Sequence, residues 1–98
     1  MKDVDSQKVK LNGDKKWLVY LLKCADQSLY CGVTKDLAAR LLKHNKGVAS
    51  KYTRSRLPVE VVAARKGLTK SDAFKLEYQI KKLSAARKIS ALKKYVLG

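Results

Sequence analysis

The sequence predicts an α+β domain: a three-stranded sheet flanked by helices, in the order β-β-α-β-α-α. Three observations carry this. Two short apolar runs, Trp17–Cys24 and Leu29–Thr34, are separated by turn residues and rich in strand formers. A third run, Val59–Arg65, follows a long polar stretch. Elsewhere the apolar residues recur at spacings of three and four, the helical period.

The first strand is expected over Trp17–Cys24 and the second over Leu29–Thr34, with Asp26-Gln27-Ser28 supplying turn chemistry between them. A loop of odd length keeps parity across such a hairpin. Tyr20 and Tyr30 then share one face, and Val19, Leu21, Leu29, Cys31 and Val33 share the other. Cys24 and Cys31 fall on opposite faces, which argues against a disulfide between them. A two-residue loop would reverse this for one strand. Gly32 inside a strand implies a bulge or a close approach by another group.

A helix is expected over Asp36–Asn45, capped by Thr34 or Asp36, with Leu37, Leu41 and His44 on one stripe and Arg40 at its edge. Gly47 stops it. Residues 45–58 read as an irregular basic loop. After the third strand, Lys66-Gly67-Leu68 is expected to turn the chain, and Thr69-Lys70-Ser71-Asp72 to cap the next helix. Ala73, Leu76, Ile80 and Leu83 form its apolar stripe. Ser84 opens a last helix carrying Ala85, Ile89, Leu92 and Val96. Residues 1–16 are expected to be a mobile tail, and 17–98 a single domain.

The chain holds 23 Lys or Arg against 8 Asp or Glu, a net charge of +15, yet 46% of its residues are hydrophobic. That apolar content fills a core, so the charge belongs to a folded domain with a polyanionic partner. Lys43–Gly98 holds 15 Lys or Arg against Glu60, Asp72 and Glu77, so the charge lies mainly beyond the hairpin. No apolar run reaches the ~20 residues of a membrane span. The expected location is cytoplasmic, with no membrane association. Two cysteines and one histidine make a poor zinc set.

Glu77 lies at the edge of an apolar stripe, where a carboxylate is desolvated and needs a partner. It either pairs with Lys81 at i+4 or binds a hard divalent cation. Arg40 and His44 are also an i, i+4 pair. They read either as a snorkelling surface residue and a helix-end histidine, or as a phosphate fork and a proton acceptor. Tyr20 and Tyr30 suit strand packing and chemistry alike.

Taken together, Leu18-Val19-Tyr20, then Tyr30-Cys31-Gly32, Arg40-x-x-x-His44 with Asn45 and Gly47, Lys51-Tyr52-Thr53-Arg54, Leu57-Pro58-Val59 and Glu77 resemble the GIY-YIG nuclease superfamily. The likeness is strongest to small single-domain members of the UPF0213 and URI kind, and it covers Trp17–Leu92. Leu18 replaces the first glycine of the motif and Cys31 the isoleucine of the second element, both at packing positions.

The resemblance implies a phosphodiester-hydrolysing endonuclease acting on DNA with one divalent metal, Mg²⁺ or Mn²⁺. Structure-selective or repair-related cleavage is among the forms it can take. Glu77 would hold the metal, Arg40 would neutralise phosphoryl charge, and Tyr20 would act as base assisted by His44. Tyr30 would position the attacking water; the two tyrosines could also exchange roles. Lys46, Lys51, Tyr52, Arg54 and Arg56 would contact the nucleic acid. The competing class is a non-catalytic DNA- or RNA-binding module, the last two helices imitating a helix-turn-helix. The sequence leaves the oligomeric state open.

Overall fold

The computed structural model describes residues 15–94. The expected tail over 1–16 therefore falls almost wholly outside the described residues, as does Val96 of the last helix.

Strand β1 (Trp17–Lys23) runs through the centre of a sheet of order β2-β1-β3, in which both pairings are antiparallel. Both of its faces are covered, so Leu18 through Leu22 are all buried. Strand β2 (Leu29–Thr34) is an edge, joined to β1 by a loop of odd length, since Lys23 faces Leu29. That loop is held by Asp26, whose carboxylate accepts from the Ser28 backbone N–H at 3.0 Å. The register puts Tyr20 opposite Gly32 and Leu22 opposite Tyr30, so the two tyrosines share a face, as the odd-loop reading expects.

Helix α1 (Leu37–Asn45) is capped by Asp36, which accepts from the Ala39 N–H, and it stops at Gly47, where φ is +78°. Leu37 and Leu41 pack on a cluster of Leu18, Tyr20, Leu22, Cys24 and Val59. The opposite sheet face carries the larger cluster: Val19, Leu21, Cys31, Ala63, Ala73, Leu76, Ile80 and Leu92. It is covered by α3 (Lys70–Lys81), capped by Thr69, and by α4 (Ala85–Lys94), so both last helices lie on one side of the sheet. Each fully buried leucine, such as Leu21 or Leu22, contributes about 1.5–3 kcal/mol by leaving water. The two thiols sit in different clusters, buried and free.

The structure departs from the sequence reading in two places. The basic loop contains a single helical turn, α2 (Lys51–Arg54), capped by the Ser50 side chain. One turn is too short to show a period. Lys66-Gly67-Leu68 does not turn the chain but continues β3 (Glu60–Leu68). Trp17 pairs with Leu68 while Val19 pairs with Arg65, so β3 carries an extra residue, and Gly67 has φ +74°. A positive-φ glycine serves a bulge as well as a turn, and the bulge won because Leu68 gains the packing of the larger cluster.

Candidate active site

The site lies around the edge strand β2, with α1 on one side of the sheet and α3 on the other. Tyr20 points to the α1 side and is buried. Its ring lies over Gly32: a Cβ there would collide with Cζ and Oη of Tyr20 and stand 2.9 Å from Cε2. The absent side chain on β2 is therefore what lets the phenol lie across the edge strand. The sequence flagged a close approach at Gly32; the approaching group is Tyr20 itself.

The Tyr20 hydroxyl meets His44 Nε2 at 3.0 Å, and His44 Nδ1 meets Thr53 Oγ1 at 2.8 Å. Thr53 Oγ1 also lies 3.4 Å from the Ser50 carbonyl, to which it donates. That direction makes Thr53 an acceptor from Nδ1–H and leaves Nε2 as the acceptor of the Tyr20 proton. His44 and Thr53 are 1% and 0% exposed, so the histidine end of this hydrogen-bond chain is buried. Burial, then the nearby Arg40 guanidinium, lowers the His44 pKa below its ordinary 6.5 and favours the neutral ring. Burial also holds the Tyr20 phenol well above its ordinary range; the neighbouring Tyr30 adds to this and Arg40 opposes it.

Tyr30 closes the cluster, with its ring centroid 5.1 Å from His44 and 6.4 Å from Tyr20. Tyr52 stacks on Tyr30 at 6.0 Å, and the Arg56 guanidinium lies 3.9 Å from the centre of the Tyr52 ring. Arg56 also pairs with Asp26 at 2.9 Å and donates to the Tyr52 carbonyl, so it ties the hairpin loop to α2. Lys46 ends α1, while Lys51 and Arg54 are exposed on α2. Arg40 and Lys43 line a groove of about 220 Å³ with Thr34, Lys35 and Asp36.

Glu77 reaches the edge from α3. Its side chain is 19% exposed, and its carboxylate pairs with Lys81 at 3.2 Å, as the i+4 reading expects. Its charge is felt on β2: burial first, and then Glu77, push the Cys31 thiol to about 12. Glu77 also contributes to the upward push on Tyr20, whose burial is the main cause. Thus Tyr20, Tyr30 and His44 gather on the α1 side with Arg40 near them, and Glu77 acts from the α3 side on Cys31 and, more weakly, on Tyr20. A cleft of about 250 Å³ beside it is lined by Tyr30, Cys31, Tyr52, Lys81 and Lys88. A larger cavity, about 400 Å³, opens at Cys24, Pro58 and Glu60; none of the site groups lines it.

Three contributors were not assigned roles from sequence. Thr53 orients the histidine; the need of a buried Nδ1 for a partner was the available signal. Asn45 bonds the Val59 backbone at both ends, 2.9 Å and 3.1 Å, locking α1 to the start of β3. Lys88 donates to the carbonyls of Ile80, Lys81 and Leu83 at 3.0, 3.2 and 2.8 Å, closing the C-terminus of the helix that carries Glu77.

This arrangement of paired tyrosines, Arg40, His44 and an opposed glutamate can be compared with known proteins. The family model of the GIY-YIG catalytic domain matches residues 16–90. The chain belongs to the GIY-YIG family. It is 44% identical over 78 residues to a UPF0213 protein of Cupriavidus necator, covering 80% of this chain and 85% of that one. A UPF0213 protein of Staphylococcus epidermidis is 47% identical over 77 residues, covering 79% and 94%. A solution NMR structure of a protein from E. faecalis superposes with a TM-score of 0.58 at 37% identity, covering 89% of this chain and 93% of that one. GIY-YIG domains are generally nucleases and usually use a divalent metal. Among the described residues no helix is long and apolar enough to cross a membrane. Within this GIY-YIG domain the two departures from the motif, Leu18 and Cys31, are both buried in the clusters, and Cys31 also lines the cleft beside Tyr30.

The donor set suits such a metal. Among the described residues no three His, Cys, Asp or Glu side chains cluster. The single half-buried carboxylate of Glu77 fits a hard divalent cation that keeps waters and takes substrate oxygens, and not a tetrahedral zinc.

Proposed function

We propose that this chain is a metal-dependent endonuclease that hydrolyses DNA phosphodiester bonds at the β2 edge. The observation that carries the reading is the buried Tyr20–His44–Thr53 hydrogen-bond chain, which a DNA-binding module would not need. In this reading the attacking water gives its proton to Tyr20 Oη as Tyr20 passes its own to His44 Nε2. The proton rests on the imidazole, which Thr53 holds through Nδ1. No free tyrosinate forms, so the raised pKa of Tyr20 is no obstacle. The water oxygen bonds to phosphorus, the bond to the leaving sugar oxygen breaks, and that oxygen takes its proton from solvent.

Arg40 offers a planar fork to the phosphoryl oxygens as their charge grows. Tyr30, held between His44 and Tyr52, positions the water. Glu77 would hold Mg²⁺ or Mn²⁺, which would supply Lewis-acid polarisation of the phosphate and stabilisation of the leaving oxygen. Lys46, Lys51, Tyr52, Arg54 and Arg56 face the backbone of the same strand; for Arg56 that contact comes on top of its ties to Asp26 and Tyr52.

The test is a cleavage panel of single strands, duplexes, flaps and branched DNA with Mg²⁺ or Mn²⁺. The wild type should cleave and lose activity with chelator. Glu77→Ala and Tyr20→Phe should each lose at least about 100-fold in rate while retaining DNA binding. Binding without turnover on every substrate, or full activity in Glu77→Ala, overturns the nuclease reading.

A further inference from the structure

A second group of aromatic and basic residues lies outside the cluster just described. Phe74 and Tyr78, one turn apart on α3, are 46% and 64% exposed, which is unusual for side chains of this size. The Phe74 ring lies 5.9 Å from the ring of Trp17 at the start of β1. Lys35 and Lys70 hold their ammonium groups 5.4 Å and 5.8 Å from the Trp17 ring, and Lys82 stands 4.3 Å from that of Tyr78. Three rings and three cations therefore form one face with no carboxylate in these contacts.

The position of this face decides its meaning. Lys35 follows the edge strand β2 directly, and Phe74 precedes Lys81, which lines the cleft, by seven residues of α3, so the Trp17–Phe74 end of the face lies about 10 Å along that helix from the cleft. Helix α3 runs along that edge in the opposite direction. Lys70 lies at the Trp17 end, Glu77 acts on Cys31, and Lys81 lines the cleft at Leu29 and Tyr30. A polyanionic strand following β2 from the cleft would run directly onto the three rings.

We infer that Trp17, Phe74 and Tyr78, with Lys35, Lys70 and Lys82, form a stacking platform for unpaired bases of the DNA strand next to the cleaved bond. Aromatic faces bind any unstacked base, and the lysines meet its phosphates. In a duplex the bases are stacked on one another and cannot use the platform. The inference rests on the nuclease reading for the identity of the strand and adds where its unpaired part lies.

Trp17 is the one tryptophan of the chain, so the platform carries its own reporter. The experiment uses the full chain bearing Glu77→Gln, in chelator, so that nothing is cut. An oligonucleotide single strand, the same strand with abasic sites throughout, and the corresponding duplex are titrated while tryptophan fluorescence and anisotropy of labelled DNA are followed. The single strand should quench Trp17 and bind at least about 10-fold more tightly than the abasic strand. Phe74→Ala and the more exposed Tyr78→Ala should each remove about 5-fold or more of that preference, with thermal unfolding showing that both remain folded. Equal binding of base-bearing and abasic strands, or unchanged preference in both variants, overturns the platform. Cleavage by the wild-type chain with Mg²⁺ or Mn²⁺ reads the nuclease reading separately. If it cleaves while the Glu77→Gln chain binds base-bearing and abasic strands equally, the nuclease stands and the platform falls.

Discussion

Gly32→Ala tests the construction of the site more sharply than removal of any functional side chain. The added methyl would fall on the Tyr20 ring, touching Cζ and Oη and lying 2.9 Å from Cε2. Tyr20 has nowhere to go: it is 2% exposed, faces Gly32 in the register and is bonded to His44 at 3.0 Å. Overpacking of this kind costs about 1–3 kcal/mol. For a domain of this size that lowers Tm by roughly 4–8 °C per kcal/mol. The chemical effect should be larger, since a displacement of about 1 Å at a reacting group costs on the order of 100-fold in rate. Thermal unfolding and single-turnover cleavage of the same preparation give both quantities. Gly67→Ala is the control: φ is +74° there but nothing lies within 4 Å of the new methyl, so it should cost stability without a comparable loss of rate. A Tyr20→Leu background should reduce the stability cost of Gly32→Ala, because the obstructing ring is gone. Wild-type stability and cleavage in Gly32→Ala would refute the account of the site as a phenol folded over a bare edge strand.

Other perturbations separate the parts of the site. Thr53→Val keeps the shape but leaves buried Nδ1–H without its acceptor; a loss of about 1–3 kcal/mol by denaturant unfolding is expected, with a fall in cleavage rate. Lys88→Met keeps the stem and removes three bonds to the last carbonyls of α3, so about 1–2 kcal/mol should be lost, read as a Tm decrease. The pH dependence follows from the lowered His44 pKa, caused first by burial and then by Arg40. The unfolded chain takes up the proton near 6.5 and the folded chain only at lower pH. Stability from this group is therefore complete above 6.5 and is lost as pH falls through the folded value. Cleavage, which needs the neutral ring, should fall over the same acidic window, and His44→Gln should abolish that limb of the profile.

Much of this was legible in the sequence because it rests on local rules. The odd loop, the alternation in β1 and β2, the Asp36 and Thr69 caps and the Ala73-Leu76-Ile80 stripe each depend on a few neighbouring residues. The hydrogen-bond partner of His44 does not. Thr53 is nine positions away on a one-turn helix whose existence depends on the Ser50 cap and on tertiary packing. The dual role of Arg56, stacked on Tyr52 and paired with Asp26 thirty positions earlier, is equally invisible to spacing. At Gly32 the residue type announced a close approach, but only the cross-strand register names the group that approaches.

The edge position also explains how one small sheet can combine groups from both of its faces. A central strand such as β1 separates the Tyr20 side from the α3 side completely, since its side chains and its neighbours fill both. At β2 the sheet ends, and at Gly32 it ends without a side chain, which on the proposed reading is where phenol and carboxylate would address one phosphate around the rim. Such an edge would ordinarily invite pairing with another strand. Here lysines, tyrosine rings and α3 crowd it, a crowding that suits the polyanion of the proposed reading better than a second strand. The Glu77–Lys81 pair fits the same logic. With Lys81 more than half exposed, the pair contributes at most about 1 kcal/mol. On the nuclease reading a divalent cation arriving with the phosphate would displace the ammonium at little cost, and Lys81, which lines the cleft, would then be left to meet the strand. A Lys81→Met variant should therefore bind Mn²⁺ at least as tightly as the wild type in the absence of DNA, but bind DNA more weakly and with a smaller salt dependence. Weaker Mn²⁺ binding, measured by calorimetry, would show instead that the lysine holds Glu77 in place for the metal.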